Sequence, residues 1–83
     1  MSANIVYFAW VRERIGTGRE TIDLTATTVR DLLADLAGRS DGHSAALADM
    51  TQVRVAVDQV LVDLDHPLDQ PREIAIFPPM TGG

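Results

Sequence analysis

The chain has no cysteine and no lysine among its 83 residues, and these two absences narrow its chemistry more than anything present. Without a thiol there can be no disulfide, no thiolate metal site and no persulfide on this chain, so any sulfur it handles must ride on another group. All seven basic residues are arginine, so no side-chain amine is available for acylation and no lysine can sit on nucleotide phosphates; genome base composition would produce the same bias. Aromatics number only four. With 46% hydrophobic residues, that describes an aliphatic core in one small domain, hiding about 60 to 65% of the surface its unfolded chain would expose. No apolar run approaches the roughly 20 residues that span a bilayer. The N-terminus lacks a basic stretch followed by an apolar run, so a cytoplasmic protein without a membrane partner is expected. A net charge of -5 and a pI near 4.6 argue against nucleic acid, which selects basic patches. Basic partner surfaces are the expected complement.

Periodicity gives the elements. Ile5 to Val11 is a continuous β-branched and aromatic run, the pattern of a central strand, with Tyr7 and Trp10 in the core. Gly16-Thr17-Gly18 punctuates the chain, and Glu20 to Leu24 alternates as a half-exposed strand forming an antiparallel hairpin with the first. Val29, Leu32, Leu33, Leu36 and Ala37 recur at helical spacing, with Thr28 and Asp31 resembling a capping box and Gly38 placed to end the helix in left-handed geometry. Asp41-Gly42-His43-Ser44 marks a break, followed by a short helical turn over Ala45 to Met50 with Leu47 inward. Val53, Val55 and Val57 alternate, and Val60-Leu61-Val62 follows across a tight Asp58-Gln59 turn whose second residue suits it poorly. After a loop over Asp65 to Pro71, Ile74 to Phe77 is the last strand, stopped by Pro78.

The two most apolar strands come first and last. Burying one amphipathic helix on one sheet face places them side by side at the centre, joined through the helical crossover. The expected fold is therefore α+β: a mixed four- to five-stranded sheet with one main helix on one face and a short second helix, the β-grasp arrangement of ubiquitin. Residues 1–77 form the domain, and residues 78–83 leave a central strand as a projecting tail.

That tail, Pro78-Pro79-Met80-Thr81-Gly82-Gly83, is the chemical candidate. Two prolines hold the backbone extended at about 3.1 Å per residue, so six residues can carry a carboxylate roughly 18 Å outward. Glycines permit close approach to another backbone, as a narrow tunnel requires. Diglycine alone also suits a frayed end, and the context decides between the two. The Gly83 carboxylate is ionised at neutral pH and can attack an ATP α-phosphorus. The chain has no phosphate-binding loop, so a separate enzyme must hold the ATP and no cofactor is expected on this chain. Among alternatives, His43 and His66 read as ordinary loop residues, and Asp63, Asp65 and Asp69 as a solvated acidic edge lacking the glycine and glutamate of a calcium loop. Phe77, Leu61 and Met80 are candidates for a partner interface; Phe77 could equally plug the end of its own sheet.

Val6-Tyr7-Phe8-Ala9 with Val11-Arg12-Glu13, Thr28-Val29, Val55-Ala56-Val57-Asp58-Gln59, Asp65-His66-Pro67-Leu68, and Glu73 through Gly83 together resemble the molybdopterin synthase small subunits, sulfur carriers of the ubiquitin-like β-grasp superfamily. The resemblance implies that Gly83 is adenylated by a ubiquitin-activating-type enzyme and converted to a thiocarboxylate. It would then donate sulfur to cyclic pyranopterin monophosphate. It further implies a heterotetramer with the large subunit, with Met80, Thr81 and Gly82 in the partner's active site and Phe77, Pro78, Pro79, Leu61 and Arg12 at the interface. Arg12 could equally cap the first hairpin. Asp58 stands where such chains commonly carry asparagine, Gln70-Pro71-Arg72 replaces a glycine-containing acidic turn, and Met80 replaces valine. A ubiquitin-like protein modifier and a thiamine sulfur carrier use the same carboxyl activation and are the competing expectations.

Overall fold

A computed structural model describes residues 2–79. Five strands and three helices follow one another as β1 (Ser2–Tyr7), α1 (Ala9–Ile15), β2 (Arg19–Asp23), α2 (Val29–Ala37), α3 (Asp41–Leu47), a 3₁₀ turn (Met50–Gln52), β3 (Arg54–Val57), β4 (Val60–Val62) and β5 (Glu73–Phe77). The sheet order is β2-β1-β5-β3-β4. β1 runs parallel to β5, with Ile5 beside Ile74 and Tyr7 beside Ile76. All other pairings are antiparallel. The first and last strands thus occupy the centre, as the apolar runs require.

One face of the sheet carries Ile5, Tyr7, Val55, Ile74 and Ile76, all buried, against Leu32, Leu33 and Leu36 of α2, Leu47 of α3 and Val11 of α1. α2 begins where the capping pattern places it: the Thr28 side chain accepts from the Asp31 N–H at 3.2 Å. Its remaining N-terminal donors are met by the 60s loop, since Val29 N–H and Arg30 N–H donate to the carbonyls of His66 and Leu64. The helix start is satisfied by chain distant in sequence.

Four local expectations are corrected, the last of them the placement of His43. The strand expected over Ile5 to Val11 ends at Tyr7, and residues 9–15 are helical. Ala9 turns the chain with a positive φ of 52°, after which Val11 and Ile15 face inward one turn apart, so an apolar run that suited a strand also fitted a helix. Trp10 consequently lies on α1, half-buried, with the Arg14 guanidinium 4.6 Å above its ring. Gly38 is not left-handed, having φ -84°; α2 closes with i→i+3 bonds from Gly38 and Arg39 to Asp35 and Leu36. The left-handed cap is at Gly16, φ 95°. Likewise, Asp41 to Ser44 is the first turn of α3 rather than a break, because Ser40 caps it by accepting from the His43 N–H at 3.1 Å. Gly42 serves packing there: a Cβ at that position would collide with the Arg14 carbonyl of α1.

The Asp58-Gln59 turn takes φ values of 47° and 72°, the doubly positive geometry of a two-residue hairpin. Asp58 also fastens that turn to the start of β5. Its Oδ1 accepts from the N–H groups of Arg72 and Glu73 at 2.9 and 3.0 Å. Gln70 holds φ 52°, so the replaced turn keeps a left-handed position without glycine.

His43 is buried, not in a loop. Its Nε2 lies 2.7 Å from Glu20 Oε2, its Nδ1 lies 2.7 Å from Ser40 Oγ, and the Tyr7 hydroxyl donates to the same Glu20 oxygen at 2.6 Å. Arg39 approaches the other Glu20 oxygen at 3.8 Å. The network ties α3 to β1 and β2. Burial pushes the Glu20 carboxyl up, but hydrogen bonds from His43 and Tyr7, with the charges of His43 and Arg39, outweigh it and hold the group below its ordinary value. Burial, then the bond to Glu20, pushes Tyr7 above the ordinary tyrosine range, so it stays a donor.

Because the folded Glu20 carboxyl is depressed, its contribution to stability is complete above the unfolded value near pH 4.3 and disappears as pH falls through the folded value. Glu20→Gln should lower stability at pH 7 by about 1–3 kcal/mol and flatten that acid limb, as read from urea midpoints between pH 3 and 7. Gly42→Ala should cost about 1–3 kcal/mol by forcing α1 and α3 apart. Gly38→Ala, whose Cβ meets nothing closer than 3.6 Å, should stay within about 0.5 kcal/mol; paired thermal melts compare the two.

Candidate functional site: the tail root and the open sheet face

Strand alternation sends Ile74 and Ile76 into the core and leaves Glu73, Ala75 and Phe77 on the opposite face, which no helix among the described residues covers. The pairing registers assemble that face in rows. Arg19, Val6, Ala75, Ala56 and Leu61 lie side by side across all five strands. In the next row, Phe77 stands opposite Arg54. Phe8, extended at φ -128° and ψ 157° and donating its N–H to the Ile76 carbonyl at 3.2 Å, continues β1 beside it.

The result is an apolar strip on an otherwise polar surface. Leu61 is 65% exposed and Phe8 49% exposed, while Phe77, Val6, Ala56 and Ala75 are half-buried. Large side chains left open to water beside smaller neighbours are what an interface centre needs. A mostly apolar concavity of about 580 Å³ opens at the β4 edge between Met50, Val53, Val62 and Leu64, and Leu61 and Arg54 also line it. The exposed strip and the hollow meet at those two residues.

Phe77 is the last residue of β5, and Pro78 and Pro79 continue from it, half-buried. A proline at that point contributes no N–H to the ladder, so the chain must leave the sheet there. The tail therefore departs from a central strand at the end of the face that carries Phe8, Phe77 and Arg54. Met80, Thr81, Gly82 and Gly83 lie outside the described residues.

The remaining expectations sort by position. Leu61 and Phe77 share one face with the tail root, so the structure brings two of the expected interface residues together, and Phe77 borders the patch rather than plugging the core. Arg12 is exposed on α1, its aliphatic stem against Gly18; it flanks the tail end of the sheet from the β1 side. His66 works through its backbone, donating to Asp63 and accepting from Val29. Asp65 pairs with Arg30 at 3.1 Å, and Asp63 Oδ1 accepts from the Asp65 N–H. No group of three or more metal-ligating side chains is assembled among the described residues.

Phe8 is the residue that sequence reasoning missed. A strand covered on both faces hid it, although Ser2 and Asn4 at the alternate positions already signalled that one face of β1 meets water.

Comparison with known proteins agrees with this geometry. The model of the ThiS family matches residues 5–83. The molybdopterin synthase sulfur carrier subunit of Escherichia coli K12 is 42% identical over 79 residues, 95% of this chain and 96% of that one. The protein of the same description from Haemophilus influenzae is 34% identical, covering 96% and 98%. Among solved structures, SAMP1 from Haloferax volcanii superposes with a TM-score of 0.74 at 25% identity over the whole of both chains. A complex of subunits 1 and 2 of molybdopterin-converting factor from Helicobacter pylori contains a chain with the same fold, at TM-score 0.66 and 23% identity over the whole of both. With the family model spanning nearly the full chain and two curated relatives above 30% identity, this chain belongs to the ThiS family, among the molybdopterin synthase sulfur carrier subunits.

Proposed function

We propose that the chain carries sulfur on its Gly83 carboxylate and delivers it within molybdopterin synthase, as the relatives' description states of them. The observation that carries this reading is the tail root: a central strand, stopped by Pro78 and Pro79, emerging beside an exposed apolar face on a chain without a single cysteine.

The chemistry follows from the carboxylate. One Gly83 oxygen attacks the α-phosphorus of ATP held by a ubiquitin-activating-type enzyme, forming an acyl-adenylate and releasing pyrophosphate. A sulfur nucleophile then displaces AMP at the acyl carbon and leaves the thiocarboxylate. In the synthase, the thiocarboxylate sulfur bonds to a carbon of cyclic pyranopterin monophosphate as a carbon–oxygen bond at that carbon breaks, leaving a thioester between chain and pterin. Water then hydrolyses the thioester, returning the Gly83 carboxylate and leaving the sulfur on the pterin as a thiolate. This chain binds none of the cofactors. Catalytic side chains belong to the large subunit, into whose active site Met80, Thr81 and Gly82 conduct the terminus.

The Helicobacter pylori complex of two subunits supports the partnership, and the apolar face supplies the contact: Leu61, Phe77 and Phe8 at its centre, Pro78 and Pro79 at the exit, Arg12 alongside. No helix among the described residues is long and apolar enough to cross a membrane, which accords with a cytoplasmic site of action. The likeness to SAMP1 keeps a second reading in view, in which the same activated glycine is joined to lysines of other proteins. Diglycine remnants on lysines in cell extract would reveal it.

Deleting Gly83 should abolish the mass gain of one sulfur-for-oxygen exchange seen after incubation with activating enzyme, ATP and a sulfur donor, while melting unchanged. Retained pterin sulfuration by that truncated chain would overturn the role given to the tail. Leu61→Asp should weaken binding to the large subunit by about 2 kcal/mol, roughly thirtyfold in Kd, by calorimetry, with unaltered folding because the side chain is exposed.

A further inference from the structure

The open face carries two guanidinium groups toward the tail end of its strands. Arg19 ends the row Val6-Ala75-Ala56-Leu61, and Arg54 flanks Phe77 in the row nearest the tail. At the opposite end of the same face, Asp23 pairs with Ser2 and Glu73 with Asn4 in the register. Both guanidinium groups stand toward the tail root; Asp63, which the β3–β4 register continues opposite Arg54, shares that end of the face with them. Among the described residues neither Arg19 nor Arg54 forms an ion pair. Arg54 is nonetheless held in place, its Nη1 donating to the carbonyls of Val53 at 2.9 Å and Thr51 at 3.3 Å. Asp63 follows Leu61 along the β4 edge with its Oδ1 accepting the Asp65 N–H.

This pattern opposes the charge of the whole. A chain of net charge -5 favours basic partners overall, yet its apolar strip carries two guanidinium groups outside any ion pair among the described residues, Arg19 at the β2 margin and Arg54 beside Phe77, with Asp63 as the one acidic neighbour at the β4 edge. A partner covering Leu61, Phe77 and Phe8 must bring its own surface against both guanidinium groups. Partly desolvated and unpaired, each would oppose binding; met by a carboxylate, each contributes to affinity and to orientation. Arginine suits that use, presenting a planar fork to a carboxylate.

We propose that the open face docks a protein surface with an apolar centre and carboxylates placed opposite Arg19 and Arg54. The two contacts lie on different strands, one on β2 and one on β3, on either side of β5. With neighbouring strands about 4.8 Å apart, they are separated by roughly 14 Å across the sheet. Two charge pairs that far apart fix the rotation of the docked domain about its apolar centre, and so the direction in which the tail enters the partner. This rests on the reading above, in which the large subunit receives the tail.

The test is binding of the full chain to the large subunit by calorimetry at about 0.1 M and about 1 M salt, where the screening length falls from roughly 10 to 3 Å. Wild-type affinity should drop several-fold with salt. Arg19→Glu/Arg54→Glu should bind at least tenfold more weakly at the lower salt and lose that dependence. Arg30→Glu/Arg72→Glu, an equal change in net charge away from the strip, should remain within threefold of wild type. Equal weakening by both pairs, or salt-independent wild-type binding, would overturn the proposal. If Leu61→Asp disrupts the complex and Arg19→Glu/Arg54→Glu does not, the acidic rim is wrong and the sulfur-carrier reading stands. If wild type fails to bind the large subunit at all, both fall.

Discussion

The parallel ladder between β1 and β5 is the contact on which the rest of the molecule depends. A parallel pair cannot be closed by a tight turn, so the chain between them must cross over, and here the crossover supplies the helices that cover one face. The register that sets Ile5 beside Ile74 and Tyr7 beside Ile76 simultaneously sets Val6 beside Ala75 on the other face. One alignment therefore builds the core and the exposed apolar strip together. A slip by one residue would exchange them, placing Phe77 inside and Ile76 in water.

Covering one face and leaving the other bare divides the labour of the side chains. On the covered side, polar groups appear only where each finds a partner, as in the Tyr7-Glu20-His43-Ser40 chain. On the bare side, the apolar residues lack that protection. Leu61 and Phe8 remain open to water in a domain with few large side chains to spare, which makes sense for a surface that is covered only when a partner arrives.

Much of the fold was legible because its strong signals are local. Val53, Val55 and Val57 alternate, Leu32, Leu33 and Leu36 fall on one helical stripe, and Thr28 announces the cap; each was found where the periodicity placed it. What escaped depends on contacts distant in sequence. Glu20 and His43 are 23 residues apart, and nothing in either neighbourhood names the other. Gly42 looked like a breaker because its reason is the Arg14 carbonyl on a different helix. α1 was hidden inside an apolar run compatible with either geometry, and with it went the exposure of Phe8. The tail and the residues Leu61 and Phe77 were legible as candidates, but only the register shows Leu61 and Phe77 sharing a face. The net acidity suggested basic partners, whereas only the register shows Arg19 and Arg54 standing on the open face beside the apolar strip.

Asp58, which clamps the N–H groups of Arg72 and Glu73 where the chain enters β5, has a mechanical meaning. Any pull on the tail runs along β5, in line with its parallel neighbour β1 and its antiparallel neighbour β3. Such a load shears the ladders to β1 and β3 together instead of peeling their bonds one at a time, and the Asp58 clamp holds the far end of the strand. Load applied at the terminus is thus shared by two ladders and one side-chain clamp before it reaches the core.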